Sequence, residues 1–577
     1  MGCEETEFSI RVQQGIPGAT IVYAPKAQID HHIPRERTTW RYFVARCWAE
    51  GTSKALVTQH VGVADGLASE REYAMRVLPP GFLAGLRAAG RGDSFGLARS
   101  AAIFTGLLVA TAGFLRRRMS RQDRPLPVRR QRRGRFQPVI VRSVELTEPL
   151  RPITGGKSPY GVPYGSALVL VRLRGHPLGV ANVPLKEGQV SAERLAHYLW
   201  DAVYERLVEC AAAENGAAMD MGPEQLLRGL PKGPQGSTES KIPAEQAPYV
   251  TVIVPAGGKR GAQLEACLQS LRSLRYPRFD ILVVDNNPGD PATHRVVEAL
   301  AREDARIRYS AEPRPGSSVA RNHGILETNA PVVAFTDDDV IVDKDWLAAL
   351  VKPFREDLSV GATTGLVLPA ELETPAQWYF EQHRGFDKGF GPRLFDLEGH
   401  RGDGRLYPFW GGIFGPRNTM AFRRSVLREI GAFDPALGAG SLARAGEDLD
   451  AFTRLILLGK RLAYEPGAIC WHAHRRGDQA LRHQLFDHGA SLTAILTKWS
   501  VRERALLLST LRALPPALGD QRSGAPGEKD GLPRHLRLFE MGGYLLGPAL
   551  YLRSIARTRR QRLADVAVEE HGVASES

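Results

Sequence analysis

Cysteine is scarce in this sequence and is never closely spaced. The 577 residues include 5 cysteines, and none of them forms a Cys-x-x-Cys pair. Zinc ribbons, thiol redox centres and disulfide frameworks all need cysteines at short, regular spacings. The cysteine pattern therefore argues against these three classes and favours a reducing compartment such as the cytoplasm.

Long apolar runs are also missing. The N-terminus has no basic segment followed by an apolar one, so no signal peptide is predicted. The longest apolar stretch, residues 101–115, is shorter than the ~20 residues that span a bilayer as a helix. It is either a buried helix or a helix on a membrane surface, because the arginines of 116–135 follow it and attract anionic lipid.

Acidic residues are outnumbered by basic ones. Lys plus Arg total 76 against 63 for Asp plus Glu, which gives a formal net charge of +13. Such a charge attracts nucleic acid, anionic lipid or phosphorylated small molecules, and composition alone does not choose among them. At ~100 to 200 residues per domain, the length predicts several domains.

Two segments rich in Pro, Gly or like charge divide the chain and are predicted to be linkers, at 119–135 and 213–247. Between them, alternating apolar residues and an amphipathic helix predict a small α+β accessory domain over 136–212. A larger domain is predicted over 248–500. A helical, basic tail is predicted over 501–577, where an apolar run followed by arginines is typical of a membrane-surface segment.

Strand-like apolar runs alternate with helical segments in the larger domain. The runs are "YVTVIVPA", "FDILVVD" and "PVVAF", and each is followed by turn or acidic residues. Strands that alternate with helices predict parallel βαβ units, whose ligands bind at the carboxyl ends of the strands. The polar residues at these ends are therefore the candidate site.

Three adjacent carboxylates follow the third run, at Asp337, Asp338 and Asp339. Like charges this close repel one another unless a cation compensates, and oxygen ligands suit Mg²⁺ or Mn²⁺. The alternative is an acidic loop that caps the next helix, which is the preferred interpretation for Asp343 and Asp345.

The segment from about residue 249 to 498 resembles glycosyltransferase family 2, the nucleotide-sugar transferases with a GT-A fold. The resemblance rests on motifs that occur in the family's order: "VTVIVPA", "ILVVDNNP", "RPGSSVARNHGI", "VVAFTDDDV", "GPRNTMAFRRSVLREIGAFDPALG" and "AGEDLDAFTRLILLGKRLAYEPGAICWHAHR". It implies an α/β fold of the GT-A nucleotide-binding type, with a mixed, mostly parallel sheet.

The family pattern implies roles for the donor-side residues of this sequence. Pro255 and Asp285 would contact the nucleotide base, Arg321 and Asn322 would lie in the helix beneath it, Asp337 and Asp338 would contact the nucleotide sugar, and Asp339 would bind the metal. One departure is that Gly257-Gly258-Lys259 stands where many relatives carry a polar or acidic residue. The nucleotide is therefore not assigned.

On the acceptor side, Glu447 and Asp448 begin an amphipathic helix, whose positive end favours carboxylates. The resemblance implies that Asp448 is the general base of an inverting displacement and that Glu447 helps to bind the acceptor. The alternative is that both residues only cap the helix. Trp410 would stack on an acceptor sugar ring, or is a buried aromatic residue.

The histidines and arginines of "CWHAHRR" complete the candidate site. The family order implies that His472 contributes to the metal or diphosphate site, and the alternative is a histidine that is only packed or solvated. Arg475 and Arg476 are candidates for holding phosphate.

An internal repeat links the N-terminus to the helix at Glu447. Glu4 and Glu5 match Glu447 and Asp448. Residues 1–118 accordingly resemble the C-terminal half of a second family 2 transferase, without a nucleotide-binding half. The interpretations are a remnant, a docking piece or a displaced gene start.

Together these features predict a bacterial, metal-dependent, inverting glycosyltransferase of hexosyl type that uses Mg²⁺ or Mn²⁺. The expected partners are a nucleotide-diphosphate sugar, a saccharide or lipid-linked acceptor of the cell envelope and an anionic membrane surface, but no nucleic acid. The expected location is the cytoplasm or the inner face of the membrane. The alternatives are an inactive scaffold or carbohydrate-binding protein, and a sugar nucleotidyltransferase, for which residues 257–260 are only a faint version of the required Gly-rich loop.

Overall fold

The computed structural model describes residues 78–91, 93, 95–119, 136–213, 222–232, 243–257, 260–385, 388–402, 406–409, 411–502 and 533–575, with positions 40, 43, 44, 46 and 47. The chain divides into two compact units, Met1–Arg130 and Gln131–Ser577. Most of the predicted fragment 1–118, including Glu4 and Glu5, lies outside the described residues, as do most of the first predicted linker and the middle of the second.

The first unit contains a pair of helices, α1 (Leu78–Gly90) and α2 (Phe95–Met119). The backbone N–H of Phe95 donates to Asp93 Oδ1 at 3.0 Å, so Asp93 caps the start of α2. The apolar stretch 101–115 is helical and lies inside α2. Among the described helices of both units, none combines the length and the apolar character needed to cross a membrane.

The second unit begins with a small α+β layer. Its elements are β1 (Val139–Glu145), β2 (Ile153–Thr154), β3 (Ser166–Leu173), β4 (His176–Pro184), β5 (Gln189–Val190), α3 (Ala192–Ala213) and α4 (Pro223–Arg228). Strand β3 pairs in parallel with β1 and antiparallel with β4. Arg174 and Gly175, both with positive φ, form the two-residue turn, in agreement with the turn type that matches strand twist.

The rest of the second unit is built on one nine-stranded sheet. Its elements are β6 (Val250–Ala256), α5 (Gly261–Arg272), β7 (Phe279–Asp285), α6 (Ala292–Ala301), β8 (Ile307–Ala311), α7 (Ser317–Leu326), β9 (Val332–Phe335), β10 (Val340–Val342), α8 (Trp346–Glu356), β11 (Val360–Pro369), α9 (Pro375–Arg384), β12 (Arg393–Phe395), β13 (Met420–Arg423), α10 (Arg424–Glu429), α11 (Glu447–Leu457), β14 (Arg461–His472), α12 (Asp478–Arg502) and α13 (Arg534–Ser575).

The strand order is β10-β14-β11-β13-β9-β6-β7-β8, with β12 paired to β14. Strands β8, β7, β6, β9, β11 and β14 run in one direction, whereas β10, β12 and β13 run in the other. The predicted α/β class with a mixed, mostly parallel sheet is thereby confirmed. Because β6, β7 and β9 are parallel neighbours, Ala256, Asp285 and Phe335 end at the same edge of the sheet.

Both faces of this sheet are covered. Val250, Val252 and Val254 of β6 belong to one apolar core, and Ile253 belongs to the core on the other face. This near-continuous apolar run is typical of a parallel strand buried on both sides. The site residues therefore sit at the end of a strand that cannot shift its register without exposing its core.

Helices α12 and α13 approach each other very closely at several glycines. A Cβ added to Gly543 would lie 2.1 Å from the backbone oxygen of Phe486, and one added to Gly489 would lie 2.3 Å from that of Glu540. Glycine at these positions lets the two backbones approach closely. The neighbouring Gly542 differs, because its added Cβ would be 3.8 Å from the Phe486 ring.

We predict opposite effects for alanine at these two adjacent glycines. Gly543→Ala forces the helices apart and lowers the free energy of unfolding by about 1–3 kcal/mol. Gly542→Ala fits its space and raises that energy by up to about 1 kcal/mol, because alanine favours the helix. Urea unfolding of the full chain measures both, and equal effects at the two positions would contradict the close helix contact.

Candidate active site

The Asp337–Asp339 triplet follows β9 and contacts three arginine side chains. Asp337 Oδ1 accepts a hydrogen bond from Arg321 at 2.9 Å, and Oδ2 accepts a long one from Arg417 at 3.4 Å. Nη1 of Arg260 donates to Asp338 Oδ1 at 2.9 Å and to Asp339 Oδ2 at 2.5 Å. Each carboxylate of the triplet thus contacts a guanidinium group.

The three carboxyl groups differ in their pKa shifts. Burial and the nearby carboxylates raise the pKa of Asp338 to about 6, although Arg260 opposes the rise. Burial also raises the pKa of Asp339. At Asp337 burial acts in the same direction, but Arg417 and Arg321 outweigh it and hold the pKa below its ordinary value. Asp338 and Asp339 therefore retain a demand for positive charge that a bound cation would meet.

Arg321 connects the triplet to the acceptor-side helix. Its side chain is only 1% exposed, and Nη1 donates to Glu447 Oε1 at 2.6 Å while Nη2 donates to Asp337. Ser317 Oγ donates to the same Glu447 oxygen at 3.1 Å. A single buried side chain of α7 thus joins the end of β9 to the start of α11.

Glu447 and Asp448 are adjacent and buried but have opposite pKa shifts. At Glu447, Arg417 and Arg321 outweigh burial and lower the pKa. At Asp448, burial and the neighbouring Glu447 raise the pKa to about 6. A carboxyl with a pKa near the working pH is suited to general-base catalysis, whereas a permanently ionised one is suited to binding.

The two carboxylate oxygens of Glu447 differ in their hydrogen bonding. Glu447 Oε2 is buried and accepts no hydrogen bond from any residue that the structure describes. Buried carboxylate oxygens are normally satisfied. The Oε2 atom therefore keeps an unused capacity to accept a hydrogen bond.

A hydrogen-bonded relay leads from α9 to the triplet. Glu381 Oε2 contacts His474 Nε2 at 2.9 Å, His474 Nδ1 contacts His472 Nδ1 at 3.0 Å, and His472 Nε2 lies 3.5 Å from Asp339 Oδ1. Burial holds the pKa of His472 well below its usual range, so this imidazole is neutral. With its Nε2 proton directed at the Glu381 carboxylate, His474 accepts the proton of His472 Nδ1 at its own Nδ1. The lone pair of His472 Nε2 then faces Asp339.

These residues fit a divalent metal ion in their chemistry. Asp339 and His472 supply an oxygen and an imidazole nitrogen, a set that suits Mn²⁺, and donor phosphates commonly complete such sites. Within the described ranges, no group of three or more His, Cys, Asp or Glu side chains is arranged to hold a metal without a ligand. A metal held here would neutralise negative charge on a departing diphosphate.

The other predicted donor-side residues are distributed around this centre. Asp285 ends β7 and accepts hydrogen bonds from the hydroxyl of Tyr309 at 2.9 Å and from the N–H of Asn287 at 3.0 Å. Pro255 lies one residue before the end of β6. Both are at the strand edge where the nucleotide is expected, and their nucleotide contacts stay predictions.

Asn322 has a structural contact that the motif does not indicate. Its amide donates to the backbone oxygen of Phe433 at 2.8 Å and accepts from the Phe433 N–H at 2.9 Å. Arg475 and Arg476 are both exposed, and Arg476 makes two 2.6 Å hydrogen bonds to Glu371. Trp410 lies outside the described residues.

Asp343 and Asp345 form the turn before α8, but the expected cap is not made, because the side chain of the N-cap residue Asp345 accepts no hydrogen bond from the helix. Asp343 accepts the Asp345 N–H at 3.0 Å and pairs with Arg172 of the small layer at 2.7 Å. Arg260, Arg417 and Glu381 are contact residues that the sequence did not predict. Arg417 lies in the "GPRN" motif and Arg260 ends the segment 257–260, whereas Glu381 lies in no motif.

Part of this region matches a known protein family. Residues 251–431 match the family model described as glycosyl transferase family 2. A pre-mycofactocin glycosyltransferase of Mycobacterium tuberculosis is 28% identical over 233 residues, covering 39% of this chain and 43% of the relative. A poly-beta-1,6-N-acetyl-D-glucosamine synthase of Staphylococcus epidermidis is 22% identical over 218 residues, covering 35% and 45%. The chain thus spans less than half the length of these curated relatives.

Solved structures give further matches. A Pyrobaculum calidifontis mannosyltransferase in complex with GDP-Man and Mn²⁺ is 19% identical, with a TM-score of 0.35, over 53% of this chain and 87% of that one. The S. aureus protein TarS in complex with UDP-GlcNAc is 16% identical, with a TM-score of 0.28, over 43% and 66%.

We predict that Glu381→Gln weakens metal binding at Asp339 and His472. Glutamine has no negative charge, so it no longer holds a proton on His474 Nε2. His474 then no longer orients the ring of His472. Removal of such an outer contact typically lowers metal affinity by about 10–100-fold. Mn²⁺ titration by isothermal calorimetry measures the change. The control, Glu303→Gln, removes a surface pair with Arg272 and leaves the affinity unchanged.

Proposed function

We propose that this chain, whose residues 251–431 form a glycosyl transferase family 2 domain, moves a sugar from a nucleotide-diphosphate sugar to an acceptor hydroxyl with inversion. The main support is the position of Arg321, which contacts Asp337 on the donor side and Glu447 on the acceptor side. The carboxylates for both halves of a displacement reaction are therefore held in one place.

Each residue has a distinct part in this proposal. Asp339 and His472 would hold Mg²⁺ or Mn²⁺, and Asp337, Asp338 and Asp285 would bind the donor. The free Oε2 of Glu447 orients the acceptor hydroxyl. Asp448 removes the hydroxyl proton as the oxygen attacks the anomeric carbon on the face opposite the departing diphosphate.

The acceptor is proposed to be a polysaccharide or glycolipid of the cell envelope. The support is a staphylococcal relative named as a polysaccharide synthase. A location at the inner face of a bacterial membrane is part of the same proposal, because a lipid-linked acceptor would be found there.

We predict that Asp448→Asn lowers the transfer rate by about 10²–10⁴-fold, because the acceptor hydroxyl then has no base. The measurement is release of nucleoside diphosphate from a panel of nucleotide sugars with Mn²⁺ and a saccharide acceptor. Glu429→Gln, an exposed carboxyl on α10, is the control and retains the wild-type rate. If the wild type turns over no donor, an inactive scaffold becomes the better interpretation.

The pH dependence provides a separate prediction. The Asp448 pKa is raised to about 6, so the base is ionised above that pH and protonated below it. In the proposed reaction kcat/KM is therefore expected to fall as the pH drops through about 6. A profile that stays flat from about pH 5 to about pH 8 would rule out Asp448 as the base.

We further predict that Asp339→Ala removes the metal dependence of donor turnover. The variant loses the carboxylate that lies 3.5 Å from His472 Nε2. Rates of donor hydrolysis are compared across a Mn²⁺ titration, with Glu429→Gln again as the control. Full metal-dependent activity in Asp339→Ala would show that the metal binds elsewhere.

A further inference from the structure

The C-terminal helix α13 has one face that is firmly attached to the molecule. Its buried positions recur every three or four residues and are Leu536, Glu540, Gly543, Gly547, Tyr551 and Ser554. Ser554 Oγ donates to the backbone oxygen of Ala436 at 2.7 Å, and Glu540 contacts His383 at 3.1 Å. The orientation of α13 is therefore fixed, and so is the identity of its outer face.

The outer face carries a stripe of exposed apolar side chains. Leu538 is 70% exposed, Met541 41%, Leu545 77% and Leu552 54%. Their spacing of three, four and seven residues places them on one side of the helix, opposite the buried positions. Single exposed leucines are ordinary, but a continuous exposed stripe indicates an interaction surface.

Exposed arginines follow this stripe toward the C-terminus and lie on the adjoining side of the helix. Arg553, Arg557 and Arg560 are exposed and line one cleft together with Ala556 and Gln561. Guanidinium groups bind phosphate oxygens in two-point contacts. An apolar stripe followed by arginines is the pattern of helices that lie in the interface of an anionic bilayer.

We propose that the outer face of α13, defined by Leu538, Met541, Leu545 and Leu552 with the three arginines, docks on a membrane that contains anionic lipid. Charge complementarity favours this occupant over a second copy of the chain. A chain with a net charge of +13 repels its own copy but is attracted to a negative surface.

The docking helix also lines a cleft near the acceptor-side residues. Leu550 of α13 forms its wall together with Asp487 of α12 and the loop 439–444. The backbone oxygen of Ala439 in that loop accepts the N–H of Ser317, whose hydroxyl contacts Glu447. If the proposed function holds, an acceptor anchored in the bilayer would approach Glu447 from this side.

The test is co-sedimentation of the full chain with vesicles of phosphatidylcholine mixed with phosphatidylglycerol, compared with vesicles of phosphatidylcholine alone. The double variant Leu545→Gln/Leu552→Gln is expected to bind the mixed vesicles at least about tenfold more weakly, since burial of its apolar groups is lost. The triple variant Arg553→Gln/Arg557→Gln/Arg560→Gln is expected to lose on the order of a hundredfold.

A matched control is Leu358→Gln/Leu458→Gln, which changes two exposed leucines away from α13 and leaves vesicle binding unchanged. Unchanged binding in the α13 variants would overturn the proposal and assign the binding to another part of the chain. Equal binding of the wild type to both vesicle types would also overturn it. So would a wild-type dimer in sedimentation velocity that becomes monomeric in the leucine variant.

Donor hydrolysis separates this proposal from the proposed function. The α13 variants are expected to hydrolyse a nucleotide sugar in solution at the wild-type rate, because none of the changed residues belongs to the active site. A wild type that binds mixed vesicles as expected but hydrolyses no donor would refute the transferase proposal and leave the docking face intact.

Discussion

The buried guanidinium of Arg321 is the contact on which the arrangement of the active site depends. A charged group with 1% exposure is tolerated only when hydrogen-bonded counter-charges surround it. Its two counter-charges, Asp337 and Glu447, are 16 and 126 residues away in sequence. The end of β9 and the start of α11 must therefore meet at α7, and this requirement fixes the distance between the donor and acceptor sides.

Arg417 and Arg321 together explain why neighbouring carboxyl groups differ in their pKa. Asp337 is ionised more readily than a free aspartate, whereas Asp338 next to it is ionised less readily. Glu447 and Asp448 show the same contrast. In each pair, the residue nearer Arg321 and Arg417 stays ionised, whereas burial raises the pKa of the other residue. The placement of two arginines thus decides which carboxyl can exchange a proton.

The parts of the site that the sequence predicts are those set by local pattern. Asp285 and the aspartate triplet follow apolar strands, and parallel neighbours bring strand ends together, so their shared edge can be inferred without coordinates. Asp448 is similarly marked by the start of an amphipathic helix. The mostly parallel sheet follows from the alternation of strands and helices.

The parts that the sequence did not predict depend on contacts between distant segments. Arg417 reaches Asp337 across 80 residues, and Glu381 reaches His474 across 93, and neither lies in a periodic pattern that would indicate its partner. For Asn322 the opposite holds. Its motif predicts a place at the nucleotide site, whereas its amide is hydrogen-bonded to the backbone of Phe433. The contacts of residues in irregular loops, and of residues whose partners are other side chains, are therefore seen only in the folded structure.

The glycine contact between α12 and α13 bears on how this protein can diversify. Positions such as Gly543, where even a methyl group would collide with a carbonyl oxygen, are closed to change, whereas positions on the opposite face meet no such barrier. The residues that attach α13 to the molecule and the residues on its outer face can therefore change independently during evolution. Proteins descended from this chain could carry other side chains on the outer face of α13 and so bind a different partner. The helix itself would keep its position beside the active site.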